Sequence, residues 1–449
     1  MTKFTTESLK GKNVLVIGLG ASGFHSAEFL IRYGARVKVT ESEKKPIHIE
    51  RKKILEDKGV KVELGGHTKS FFNSIDLAVI SPGIDPRNVL SLFEVEIPII
   101  SELELGVYEI EEKFIAITGT NGKSTACRFV EHALKTAGVN AIACGNIGLP
   151  VTAIEWTKKD LVAVIEVSSF QLEYSYNFKP HVAILLNVTD DHFERHNNIE
   201  EYKKQKFKIF AAQDENDWAI VHDSLRNDPL VSTIKSKIIF YNSNSIDSTF
   251  DVDKLGFNTF MKLLNKVSLP PSINKENIIA GGLSAIILNL SMQNVVSSLA
   301  TFTPLSHRME QVADFDGVLY IDDSKATNIG SCEYALNSLL GNVILIAGGV
   351  DKGGDYSTIV PLIEKKVKKV VVLGEAAGKI QKALTVCGIE IYSAKNMRDA
   401  VLNSCRSAIK GDTVLLSPMC SSFDMYENYK ERGKDFKNEV LKLKTVHDK

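Results

Sequence analysis

Seven consecutive residues, Gly119-Thr120-Asn121-Gly122-Lys123-Ser124-Thr125, have the types and spacing to grip a phosphate chain. They follow the apolar run Phe114-Ile-Ala-Ile-Thr118 and precede Ala126, Phe129, Val130, Ala133, Leu134 and Ala137 at three- and four-residue spacing. That pattern predicts a strand, a tight turn and the first turn of an amphipathic helix. Backbone N–H groups of such a turn and the positive end of the helix dipole both favour an anion. Lys123 can reach terminal phosphates, and the Ser124 or Thr125 hydroxyl can ligate Mg²⁺. Ile117 stands where the usual phosphate loop has its first Gly, so this loop is a shortened form.

A second glycine turn lies near the N-terminus, where Asn13-Val-Leu-Val-Ile17 runs into Gly18-Leu-Gly20-Ala21-Ser22-Gly23 and a later strand Val37–Thr40 closes on Glu41. Gly18 suits a tight turn, Gly20 a close diphosphate, Gly23 helix packing, and Glu41 a ribose or base. The pattern serves NAD and equally any other ligand with a nucleoside and a diphosphate. Ser81-Pro82-Gly83, after the strand Leu77–Ile80, can line the same crevice. A dehydrogenase would next need a substrate domain, whereas this chain reaches the phosphate loop.

Further polar residues cluster at the ends of apolar runs. Leu161–Ile165 leads into Glu166-Val-Ser168-Ser-Phe-Gln171, and Val182–Asn187 leads to Asp190-Asp191-His192. A carboxylate or imidazole at a strand end beside a phosphate loop is placed to hold Mg²⁺. In the helix expected over Glu200–Ala212, at about 100° per residue, Tyr202, Ile209 and Phe210 share one face. Lys206 falls within that face, and Lys204 and Lys208 point away. An inward ammonium must be paired, neutralised or chemically modified, or else it snorkels past the apolar stripe to water.

The elements carrying these residues alternate strand and helix, which predicts an α/β fold with largely parallel sheets. At roughly 150 residues per domain, a chain of 449 residues suggests three: 1–101, 102–304 and 305–449. The first is expected to be Rossmann-like, the second a P-loop ATPase-like parallel sheet, and the third Rossmann-like again. In the third, the strands Val343–Ala347, Val370–Leu373 and Val414–Leu416 each end in small or turn-forming residues. From Asp214 to Asn277 the sequence carries little signal. A net charge of -1 gives nucleic acid no electrostatic attraction. No apolar stretch suits a bilayer or a signal peptide, and six scattered Cys without a C-x-x-C pair suggest neither zinc nor disulfides. A cytoplasmic monomer is expected.

Gly119–Thr125, Gly145-Asn146-Ile-Gly148, Glu166–Gln171, Asn187–His192, His307-Arg308, Asp322-Asp323-Ser-Lys325-Ala-Thr327 and Ser417-Pro-Met-Cys-Ser-Ser422-Phe423 together resemble the motif series of the Mur ligases, in family order and across nearly the whole chain. The Asp-Ser-Lys-Ala-Thr run lacks the Asn-Pro-Arg signature of the diaminopimelate- or lysine-adding members. Thr-Asn-Gly-Lys-Ser stands where the L-alanine-adding members have His-Gly-Lys. The resemblance therefore points to the branch that adds D-glutamate to UDP-N-acetylmuramoyl-L-alanine with ATP and two Mg²⁺.

What the resemblance implies can be assigned residue by residue. Gly18, Gly20, Ala21, Ser22, Gly23, Glu41, Ser81, Pro82 and Gly83 would surround the UDP, and Asn146, Ser168 and Gln171 the muramoyl-alanine end. ATP would meet Gly119, Thr120, Asn121, Gly122, Lys123, Ser124, Thr125, Asn277, Arg308 and Asp323. Metal would be held by Ser124, Glu166, His192 and a carbamylated Lys206. Lys123, Glu166, His192, Lys206 and Lys325 would be catalytic. D-Glutamate would meet Thr327, Lys352, Ser422, Phe423 and Tyr429. Departures from the family pattern fall at Ala280, where Asn is usual after Asn277, at Phe423 and Tyr429, and at Glu43, where a basic residue can lie near the uracil.

Overall fold

The computed structural model describes residues 5–110, 113–156, 160–191, 195–249, 255–270 and 272–447. Its packing forms two compact units. One comprises Met1–Asn187, Glu200–Val267 and Lys275–Phe302; the other comprises Val188–Ile199, Ser268–Asn274 and Thr303–Lys449.

The first unit carries two sheets. Strands β1 (Asn13–Ile17), β2 (Arg36–Glu41), β3 (Lys61–Leu64), β4 (Leu77–Ile80) and β5 (Ile99–Ser101) form a parallel sheet in the order β3-β2-β1-β4-β5. The chain reverses its direction of winding between β1 and β4, which opens a crevice at their carboxyl ends. The Gly18 turn and the Ser81 turn both leave from there. The second sheet contains β6 (Ile115–Thr118), β7 (Ala141–Gly145), β8 (Val162–Glu166), β9 (Val182–Leu185), β10 (Trp218–His222), β11 (Lys237–Tyr241) and β12 (Ile246–Ser248). Its order is β12-β11-β10-β9-β6-β8-β7, parallel except for the edge strand β12. β6 thus lies between β9 and β8, so the phosphate loop, Asn187 and Glu166 leave adjacent strand ends. Every residue of β6 and β9 is buried, as strands covered on both faces require.

Chain continuity between these two sheets is reinforced by carboxylates. Glu102 accepts from Thr152 N and Oγ1 at 2.8 and 2.9 Å, and Glu104 accepts from the N–H groups of Tyr176 and Asn177 and from the Asn177 amide. Burial pushes the Glu102 carboxyl up to about 7 against those hydrogen bonds.

The second unit holds β13 (Glu310–Phe315), β14 (Val318–Asp322), β15 (Val343–Gly348), β16 (Val367–Leu373), β17 (Glu390–Ser393) and β18 (Thr413–Leu416), in the order β13-β14-β18-β15-β16-β17. All pairs are parallel except the hairpin β13–β14. Sequence reasoning passed over that hairpin, although its turn residues Asp316 and Gly317, at φ 53° and 69°, are the pairing that a tight two-residue hairpin favours. The region that seemed silent, Asp214 to Asn277, supplies β10 to β12.

The helix expected over Glu200–Ala212 is shorter, an α-helix at Ile199–Phe207 followed by a 3-10 turn at Lys208–Phe210. The tightened turn brings Lys208 inward, contrary to expectation. Its ammonium donates to the Glu173 carbonyl at 2.9 Å, and burial lowers its pKa. No helix among the described residues is long and apolar enough to cross a membrane.

Candidate active site

The crevice at β1 and β4 is a cavity of about 600 Å³ within the first unit. Gly18, Gly20, Ala21, Ser22, Glu41, Ser81, Pro82, Gly83, Asn146 and Gln171 line it, together with Glu43 and Gly145, and with Ser42, His48 and Pro150, which sequence reasoning had not placed in the site. Gly18 has φ 98°, and a Cβ on it would come within 2.7 Å of Ser81 Oγ. Gly23 does not line the cavity: it packs against the Gly18 carbonyl, where a side chain has no room. Gly20 faces open space.

Glu41 serves the turn itself. Its Oε2 accepts from Leu19 N at 2.8 Å and its Oε1 from Glu43 N at 3.0 Å. Burial raises its pKa, but these donors outweigh it and hold the carboxyl below the usual range. Ser168 is also occupied locally. It caps the helix Ser169–Glu173 by accepting from Gln171 N, and the Gln171 side-chain Oε1 accepts in return from Ser168 N. Gln171 lines the cavity and Ser168 is not among its lining residues.

The phosphate loop is held from three sides. Thr120 N donates to the Asn187 carbonyl at 3.0 Å, Asn121 N donates to Asn187 Oδ1 at 2.9 Å, and Asn187 Nδ2 donates back to the Asn121 carbonyl at 3.1 Å. Asn187, the first residue of the Asn187–His192 motif, is therefore the loop's anchor. Gly122, at φ 88°, lies so close to the buried Asn277 amide that a Cβ would overlap it. Lys123 Nζ donates to the carbonyls of Gly119 and Thr120, both at 2.8 Å. Lys206 Nζ donates to the same Gly119 carbonyl at 2.8 Å.

Lys206 is 1% exposed, and its ammonium sits 4.3 Å from the centre of the Tyr202 ring. It does not snorkel. Ser124 and Thr125 lie in the first turn of the helix Lys123–Thr136, with Thr125 buried.

Glu166 is 3% exposed. Its Oε1 accepts from Asn146 Nδ2 at 2.7 Å, and its Oε2 is buried without a hydrogen-bond partner among the described residues. A buried carboxylate oxygen left unsatisfied is costly, and a cation removes the cost. Glu166 thus fits a divalent cation at the loop, with the nearby hydroxyls as further oxygen ligands. His192 lies outside the described residues.

In the second unit, Asp323 is buried and its carboxyl is pushed up to about 7, although a hydrogen bond from Ser417 and the charge of Arg308 both favour the ionised form. Lys325 places its ammonium 4.1 Å from the centre of the Tyr429 ring. Lys352 Nζ pairs with Asp191 Oδ1 at 3.0 Å, and Asn328 Nδ2 donates to Asp191 Oδ2 at 3.0 Å. This trio lines a small cavity with Tyr356 and Met419. Of the five residues expected to meet D-glutamate, Lys352 alone is among its lining residues. Ser422 is buried, Thr327 is half-buried, and Phe423 is 73% exposed.

Three family models match the chain in succession. They are the Mur ligase MurD-like N-terminal domain over residues 12–100, the Mur ligase middle domain over 117–283, and the Mur ligase glutamate ligase domain over 307–420. A relative from Koribacter versatilis, named UDP-N-acetylmuramoylalanine--D-glutamate ligase, is 36% identical over 97% of this chain and 98% of its own. One of the same name from Pelotomaculum thermopropionicum is 37% identical over 96% of this chain and 98% of its own. Among solved structures, the MurF ligase from Thermotoga maritima in complex with ADP matches with a TM-score of 0.54 at 15% identity, covering 98% of this chain and 97% of that one. At that identity the likeness concerns the fold.

Proposed function

The chain belongs to the Mur ligase family, and from that premise we propose that it joins D-glutamate to UDP-N-acetylmuramoyl-L-alanine at the expense of ATP, in the synthesis of peptidoglycan precursors. The observation carrying this reading is the likeness to relatives of that name along nearly the full length of both chains. The ADP bound by a ligase of the same fold supports ATP as the nucleotide at the Gly119–Thr125 turn.

Each part of the site has a task in such a reaction. The 600 Å³ cavity takes the UDP-sugar, with the nucleoside toward Glu41 and the diphosphate toward the start of the helix Ala21–Arg32, where Gly20 leaves space. The substrate's L-alanine carboxylate lacks a leaving group, so it attacks the γ-phosphate of ATP, giving an acyl phosphate and ADP. The D-glutamate amine then attacks that carbonyl, and phosphate departs from the tetrahedral intermediate. Lys123, released from the Gly119 and Thr120 carbonyls, neutralises the transferring phosphoryl group, a reaction that depends on positioning and charge.

Mg²⁺, where bound, supplies further charge neutralisation. Ser124, Glu166, His192 and Lys206 would hold it, Lys206 as its carbamate, because the amine is buried beside the loop and a carbamate is an anion suited to metal. Arg308, Asp323 and Lys325 act on ATP or the reacting groups, and Thr327, Lys352, Ser422, Phe423 and Tyr429 serve D-glutamate. The domains run 1–101, 102–304 and 305–449, and the enzyme is a cytoplasmic monomer.

ADP release measured with UDP-N-acetylmuramoyl-L-alanine across a panel of amino acids tests the reading. Release that requires D-glutamate is expected. Preference for another amino acid, or no ADP with any acceptor, overturns it.

A further inference from the structure

Arg308 sits between two residues in left-handed backbone conformation, His307 at φ 62° and Met309 at φ 48°. Neither is glycine, and such a conformation persists only where its surroundings enforce it. The enforcing contacts are specific. His307 N donates to Glu310 Oε2 at 2.8 Å, and Met309 N donates to Asp323 Oδ1 at 3.2 Å. His307 Nδ1 lies 2.6 Å from Asp322 Oδ2, and Asp322 Oδ1 accepts from Ser324 N at 2.9 Å. The backbone between the two outliers therefore fixes the direction in which the Arg308 Cα–Cβ bond leaves the turn.

His307 also touches Lys325. Its carbonyl accepts from Lys325 N at 3.1 Å, and its ring meets the Tyr429 ring edge-on at 6.2 Å. Tyr429 in turn carries the Lys325 ammonium on its face, and its carbonyl accepts from Ser324 Oγ at 2.8 Å. Opposite the imidazole, Gly433 leaves just enough room. A Cβ there would overlap His307 Nδ1 and lie 2.7 Å from Asp322 Oδ2.

We propose that His307 is a positioning residue which, through its strained backbone, its bond to Asp322 and its contact with Tyr429, holds Arg308 and Lys325 in the directions from which they act on ATP and the acyl phosphate. This rests on the ligase reading above. His307 touches no reacting atom. Its bond to Asp322 fixes the turn and its ring fixes the platform under Lys325, so one side chain sets the geometry of two cations.

Steady-state kinetics of His307→Ala, His307→Asn and Gly433→Ala test it, with melting temperature measured on each. Asn tolerates the left-handed region, and its amide nitrogen overlays the imidazole Nδ1. His307→Ala is expected to lose at least tenfold in kcat, on the order of 1.4 kcal/mol, with the KM for UDP-N-acetylmuramoyl-L-alanine unchanged within twofold. His307→Asn is expected to recover a large part of that loss. Gly433→Ala, which pushes a methyl group into the His307–Asp322 pair without altering either residue, is expected to show the same selective fall in kcat even if His307→Ala does not fold. Wild-type kinetics in His307→Ala or Gly433→Ala would overturn the proposal, as would an Asn variant no better than Ala, or losses that track melting temperature alone. A wild-type chain that forms no ADP refutes the ligase reading, whereas an active wild type matched by its His307→Ala variant refutes only this inference.

Discussion

The two glycine turns of the first unit share a backbone plan and differ in the charges that hold it. Each leaves the carboxyl end of a buried parallel strand, passes through a left-handed glycine, Gly18 at φ 98° or Gly122 at φ 88°, and enters a helix. At the first, the turn's Leu19 N–H is taken by the Glu41 carboxylate, and Glu43 lines the same cavity. At the second, the carbonyls of Gly119 and Thr120 are held by the ammonium groups of Lys123 and Lys206. An acidic rim favours the hydroxyl and N–H donors of a nucleoside and disfavours a bare polyphosphate, and the Lys123 ammonium does the reverse. Glycine geometry lets a ligand approach, and the surrounding charge decides which part of a ligand comes.

The largest expected effect removes the charge of the second turn. Lys123→Ala should lower kcat by on the order of 10³ in an ADP-release assay while leaving binding of the UDP-substrate intact. Lys206→Ala should also abolish most turnover, and a small carboxylic acid added at millimolar concentration should restore part of it by replacing the carbamate. Full activity in Lys206→Ala, or a lost UDP-substrate affinity in Lys123→Ala, would break the contrast between the turns.

Glu41→Gln tests the first turn with a smaller effect. The KM for the UDP-substrate should rise about tenfold, on the order of 1.4 kcal/mol, and the KM for ATP should not change. Because the folded Glu41 carboxyl titrates below its ordinary value of 4.5, its contribution to stability is present above that pH and is lost as pH falls through the lower folded value. Melting temperatures of the wild type and the Gln variant should therefore converge in acid. If they diverge there, the carboxylate is not what holds the turn.

The smallest effect concerns Glu102, at the junction between the sheets that carry the two turns. Its carboxyl is raised from 4.5 to about 7, so the folded chain binds the proton more tightly than the unfolded chain does. Its share of stability is complete below 4.5 and declines as pH climbs toward 7. Glu102→Gln should flatten that decline in a series of melts, by about 2–4 °C for each kcal/mol. An unchanged slope would remove Glu102 as its source.

The Gly18 and Gly122 turns, the apolar strands that feed them and the inward face of Lys206 were legible in the sequence because each is a local requirement. A left-handed turn needs glycine, a strand covered on both faces needs a continuous apolar run, and a helix repeats its buried face at a fixed angle. The β13–β14 hairpin has a local cause too, the Asp316-Gly317 turn.

The partners of these local features could not be read in this way. Asn187 anchors Asn121 across 66 residues and Lys206 reaches Gly119 across 87, because β6 pairs with β9 and not with its neighbours in sequence. Likewise, the left-handed His307 and Met309 have no glycine to announce them, since Asp322, Asp323 and Glu310 impose that backbone through hydrogen bonds. The sequence by itself determined which residues could bind phosphate, metal and nucleoside. Only the tertiary structure decided which groups hold them, because a hydrogen bond depends on where strand order brings two atoms and not on how far apart they lie along the chain.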